Sequence, residues 1–143
     1  MRAGDATLPE AVGQLKPDVV VVRSDSGVRD VLEHIADYAT ALRELARILV
    51  PGGLVLLTLP FLLHAADNLV RARLDGGRLV HLLEPEYHGD PVGGQGVLCY
   101  YHFGWQLLDD LRRAGFADAW LDLYWSADYA NLGSPQVFVM ARR

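Results

Sequence analysis

Glu84, Glu86, His88 and Asp90 recur at every second position. In an extended chain that spacing puts all four side chains on one face, where carboxylates and an imidazole are ligands for a divalent cation. Pro85, Pro91 and the glycines at 89, 93, 94 and 96 interrupt any regular strand. The segment Glu84–Gly96 therefore reads as a long covering loop that offers Tyr87, His88 and Asp90 to a substrate, with no metal site expected. Ordered loops of this length in compact domains are more often functional than idle. Glu33 and His34 form a second chemical pair. Imidazole titrates near neutrality and suits proton transfer, so the two are candidate catalytic residues as acid, base or metal contact; the plainer alternative is a helix-entry turn. Cys99 has no base beside it in sequence and reads as a small buried hydrophobe. Tyr100, Tyr101, Trp105 and Trp125 read as core aromatics rather than as the lining of a pocket.

These residues need elements to hold them. Asp18–Val22 is a β-branched run without polar alternation, the pattern of a strand covered on both faces. Asp37 is placed to cap a helix in which Tyr38, Leu42, Leu45, Ala46 and Leu49 share one side, and Pro51-Gly52-Gly53 ends it. Leu54–Leu59 is a second apolar strand, and strand, helix, strand makes a right-handed parallel crossover. Between Val70 and Leu83 the pattern alternates around Asp75-Gly76-Gly77, the signature of a hairpin. Phe103, Leu107, Leu111 and Ala114 form a helical stripe that stops at Gly115, with Phe116 folding back on the last turn. Ala117–Ser126 alternates as a strand, and Val137–Met140 returns antiparallel to it because 127–135 is too short for a crossover helix. The expected fold is α/β, a partial Rossmann-like sheet, mostly parallel, with an antiparallel C-terminal hairpin. It forms a single domain over 1–143 with a hairpin and loop lid at about 67–100.

With 143 residues, 51% of them hydrophobic and a net charge of −5, the chain can bury an ordinary core. Its scattered cations argue against nucleic acid as a partner. The most apolar stretch, Leu54–Ala66, contains Pro60 and His64 and is too short to span a bilayer, so no membrane association is expected. A single cysteine and the absence of an apolar leader at the N-terminus fit a cytoplasmic protein. Twelve arginines against the lone Lys16 suggest a GC-rich bacterial source.

Gly4-Asp5-Ala6, Leu8-Pro9, the strand Asp18–Val22, the tag Asp30–Ile35, the helix Ala41–Leu49 and Pro51-Gly52-Gly53, in that order, resemble the second half of a class I S-adenosylmethionine-dependent methyltransferase. The later Glu86–Pro91, Phe103-Gly104-Trp105, Ala114-Gly115-Phe116 and Tyr124-Trp125-Ser126 are similar to a bacterial subset of it. The resemblance implies S-adenosylmethionine as cofactor. It implies that Asp5 accepts a hydrogen bond from the adenine amino group and that Ala6 offers its backbone N–H to the ring. Ser24 and Asp25 lie at a strand's carboxyl end, where open α/β sheets place ligands. The implied reaction is methyl transfer to a small-molecule or glycan acceptor.

The family's glycine-rich cofactor turn and the acidic residue that takes the ribose hydroxyls have no counterpart in this sequence, and about five residues through Arg29 are inserted before the Val-Leu-Glu-His tag. Met1 thus reads as an internal start and the chain as a truncated domain with weak or absent cofactor binding. The alternative function is a non-catalytic half-domain that associates with itself or with a complementing chain. The Val19–Val22 edge, left unpaired without the family's first strand, would mediate that contact.

Overall fold

The computed structural model describes residues 18–22, 31–88, 96–128 and 131–143. Strand β1 (Val19–Val22) pairs in parallel with β2 (Leu54–Leu57), in the register Val19 to Leu54 through Val22 to Leu57. The link between them contains a short 3-10 turn (Leu32–His34) and helix α1 (Tyr38–Ile48). Asp37 caps α1 as its position in the sequence suggests: its carboxylate accepts the Thr40 N–H at 3.0 Å and the Thr40 hydroxyl at 2.6 Å. That hydrogen bonding holds the Asp37 carboxyl below its ordinary value.

The chain leaves β2 and makes a long excursion before returning. Its β-pairs are β3 (Leu69–Val70) with β8 (Tyr101–His102), β4 (Ala72–Asp75) with β5 (Arg78–His81), and β6 (Tyr87–His88) with β7 (Val97–Leu98). The hairpin expected around Asp75-Gly76-Gly77 is present as β4 and β5. The β6–β7 pair is a departure, because 84–96 reads as irregular in the sequence while its two ends form a short ladder. Gly96 explains it. A Cβ there would stand 2.2 Å from the His88 carbonyl oxygen, so only glycine lets the two arms approach.

Helix α2 (Gln106–Ala114) begins three residues later than the apolar stripe suggests. Phe103 is instead extended and bridges in parallel to Phe61, four residues beyond the end of β2. The amides of Trp105 and Gln106 donate to the carbonyls of Ala65 and Ala66, so the chain is held in place before it turns into the helix. The helix ends at Gly115 in a left-handed conformation, and Phe116 folds back, its N–H donating to the Leu111 carbonyl.

Strands β9 (Asp118–Ser126) and β10 (Asn131–Arg142) complete the sheet in the order β1-β2-β10-β9. The described sheet is mixed: β1 is parallel to β2, while β10 is antiparallel to both β2 and β9. Leu42, Ala46 and Leu49 of α1, Leu107 and Leu111 of α2, and Val55, Leu57, Val139 and Ala141 of the sheet bury together as one core. Strand β2 alternates buried with half-buried residues, so the described helices cover one of its faces rather than both. On β9 the cover ends early. Ala119 is buried, whereas Leu123 and Trp125 are exposed because the strand runs on beyond α2.

Candidate functional site

The excursion between β2 and α2 is fastened onto the 3-10 turn, and the polar side chains converge at that seam. The Tyr100 N–H donates to the Glu33 carbonyl at 2.7 Å, and the Cys99 N–H donates to the Glu86 carbonyl at 2.8 Å. Beneath the seam, Tyr38 meets Tyr101 and Phe103 edge to face, with ring centroids 4.8 and 5.3 Å apart. The Tyr38 hydroxyl donates to Asp110 at 2.7 Å, and Asn68 donates both to that hydroxyl and to Asp110. Burial and the Asp110 hydrogen bond raise the Tyr38 hydroxyl well above its ordinary value, so it stays a donor.

On this base the ionisable groups alternate. Glu33 Oε1 lies 3.4 Å from His34 Nε2 and 3.3 Å from His88 Nδ1. Glu86 Oε1 lies 3.2 Å from His88 Nε2 and 3.1 Å from His102 Nε2, while its Oε2 meets Arg71 at 3.1 Å. Burial opposes the ionised form of Glu86. The hydrogen bonds from His102 and His88 and the charges of His102 and Arg71 outweigh it and hold this carboxyl below its ordinary value. Cys99 is fully buried beside them and its thiol donates to the Tyr101 carbonyl. Burial, and then the Glu86 charge, push that thiol up to about 11.

His34 is fixed in a particular state. Its Nδ1 lies 2.8 Å from the Leu98 carbonyl oxygen, which only accepts, so Nδ1 carries the proton. Nε2, on the other side of the ring, is buried and faces the Glu33 carboxylate.

The structure thus brings Glu33, His34 and His88 together. Tyr87, next in the chain, points outward and is exposed. Asp5, Ala6, Ser24, Asp25 and Asp90 lie outside the described residues. Arg71, Cys99 and His102 join the cluster without any signal in local sequence, since only the β3–β8 and β6–β7 pairings bring them near Glu86.

Residues 6–57 match the family model described as a methyltransferase domain. This part of the chain is similar to that family. The match runs through β1, α1 and β2, the strand, helix and strand on which the excursion is mounted. A crystal structure of an S-adenosylmethionine dependent methyltransferase from Mesorhizobium loti is similar to the chain, with 21% identity and a TM-score of 0.47 over 88% of this chain and 62% of that one. The chain therefore spans less than two thirds of that methyltransferase's length. No curated protein matches it. No helix among the described residues is long and apolar enough to cross a membrane.

The cofactor of such domains sits at the carboxyl ends of the strands. Beyond β2 there is a groove of about 310 Å³ lined by Thr58, Leu59, Phe61 and 135–138. It carries no carboxylate for ribose hydroxyls and no glycine for close approach of the backbone. The described residues do not by themselves build a cradle for the cofactor.

Proposed function

We propose that the chain is a methyltransferase-family domain serving methyl transfer from S-adenosylmethionine to a small-molecule or glycan acceptor, and that this chain alone holds the cofactor weakly. The family match over residues 6–57 carries the reading. Asp5, Ala6, Ser24 and Asp25 are the cofactor contacts in it. Glu33 and His34 are the catalytic candidates in it. Tyr87, His88 and Asp90 belong to the segment that covers the acceptor, and such covers exclude water and complete a site. The acidic chain, with scattered cations, suits a small or uncharged acceptor better than nucleic acid. Reducing cytoplasm suits the free buried thiol of Cys99.

The groove beyond β2, which offers neither a carboxylate nor a glycine, supports the weak-binding reading. A few hydrogen bonds at the adenine edge contribute only about 0.5–1.5 kcal/mol each. Calorimetric titration with S-adenosylmethionine should give a dissociation constant in the millimolar range that Asp5→Ala abolishes. A micromolar constant would overturn the weak-binding reading.

A second reading, association without catalysis, is favoured by one observation: β1 pairs only with β2 among the described strands, and its Val19 is exposed. An open β-branched edge recruits another strand. In this reading the chain dimerises through Val19–Val22, or takes up a complementing chain there, and gives no heat with millimolar cofactor. Light scattering after size exclusion, with amide exchange across 18–22, tests it; a monomer with fast-exchanging amides contradicts it.

A further inference from the structure

We propose that Glu86, His88, Cys99 and His102 form a zinc site that clips the covering excursion together. One ligand atom from each, a carboxylate oxygen, two imidazole nitrogens and a sulfur, all lie within 4.8 Å of one another. Tetrahedral bonds of about 2.0–2.3 Å put ligand atoms roughly 3.3–3.8 Å apart. Glu86 Oε1 already stands 3.2 and 3.1 Å from the Nε2 atoms of His88 and His102, close to the edges of such a tetrahedron. Zinc binding would draw the Cys99 sulfur, within 4.8 Å of the other ligand atoms, into the fourth position.

The surroundings are those of a metal centre. A ligating histidine generally presents its other ring nitrogen to a carboxylate or a carbonyl, which fixes its orientation. His88 does so, its Nδ1 facing the fully buried Glu33 carboxylate at 3.3 Å. Glu86, in turn, is braced through its second oxygen by Arg71. Nitrogen and sulfur donors in a closed set of four select zinc over magnesium or calcium, which prefer oxygen. The Glu86 carboxylate and a Cys99 thiolate together match the charge of a divalent ion. On binding, the thiol proton leaves to solvent, the sulfur gives up its hydrogen bond to the Tyr101 carbonyl, and the sulfur–zinc bond takes its place.

The ligands come from both sides of the excursion. Glu86 and His88 precede 89–95, and Cys99 and His102 follow it. The ion would tie β6 to the stretch entering β8, so His88 holds the covering segment rather than the acceptor. The proposal does not depend on methyl transfer.

The full chain, dialysed after exposure to zinc sulfate, should retain one zinc per chain and unfold at a higher temperature, since an ion bound only by the folded state stabilises it. Cobalt(II) in its place should give the intense visible absorption of a tetrahedral site and a thiolate-to-cobalt charge-transfer band. Cys99→Ala should abolish that band. Glu33→Gln, which disturbs the orientation of His88, should weaken zinc by about 10–100-fold. His81→Gln, at an exposed histidine, should change nothing. Should Cys99→Ala fail to fold, judged by circular dichroism, the near-isosteric Glu86→Gln decides by loss of the tetrahedral spectrum. No retained metal, an octahedral cobalt spectrum, or a full spectrum in these ligand variants would overturn the proposal.

Discussion

His88 Nδ1 stands 3.3 Å from Glu33 Oε1, and this contact joins the excursion after β2 to the turn after β1. The carboxylate has no exposure of its own, so its loss leaves two imidazoles and the backbone around them facing a void. Glu33→Ala is expected to lower stability by about 1–3 kcal/mol, the cost of stranding buried polar groups. The urea midpoint measures it, and an unchanged midpoint would show that the contact carries no stability.

Gly104 is a steric hinge between the excursion and α2. A Cβ there would come within 2.4 Å of the Asp67 carbonyl oxygen and 2.6 Å of that of Ala65, both backbone atoms that cannot rotate away. The Gly104 N–H also donates to Asn68, which links Tyr38 and Asp110. Gly104→Ala is expected to cost about 1–3 kcal/mol through overpacking. A melting temperature equal to that of the parent would count against this geometry.

Buried and exposed apolar side chains should behave differently. Leu107 is fully buried between α1 and the sheet, and Leu107→Ala should lose about 2–5 kcal/mol. Trp125, on the uncovered end of β9, is 53% exposed, and Trp125→Ala should change stability by no more than about 0.5 kcal/mol. Equal effects in chemical denaturation would mean that β9 is covered where the structure leaves it open.

Asp37 supplies a pH dependence. Its carboxyl is held below the ordinary value by the Thr40 side-chain hydrogen bond and then the Thr40 amide, so the folded form binds its proton less readily than the unfolded chain. The cap is therefore fully present above about pH 4 and is lost as pH falls through the lowered value. Asp37→Asn, which still caps but does not titrate there, should show a flatter fall in melting temperature through that acid range. Parallel curves for the two proteins would contradict the assignment.

The helices and the central sheet were legible because each signal was local. The Asp37 cap, the stop at Gly115 and the apolar run of β2 all act within a turn or a strand. The start of α2 departs from its apolar stripe for the opposite reason: Phe103 fits the helical spacing, but the Phe61 bridge, made far away in the chain, captures it first. The cluster was half legible. Adjacent or alternating residues such as Glu33, His34, Glu86 and His88 stand out in sequence, whereas Arg71, Cys99 and His102 reach Glu86 only through strand pairing that no local pattern encodes. Cys99 is buried, as its apolar sequence neighbours suggest, yet no local pattern points to its polar neighbours in the fold.

The proposed function requires that Asp5, Ala6, Ser24 and Asp25 contact S-adenosylmethionine. Amide chemical shifts of the nitrogen-15-labelled full chain, followed as the cofactor is raised to millimolar concentration, locate that contact directly. The expected result is a saturable, millimolar shift of Asp5, Ala6, Ser24 and Asp25, with Asp5→Ala removing it. Shifts absent from those residues, or confined to the far end of β9 and β10, would contradict the claim.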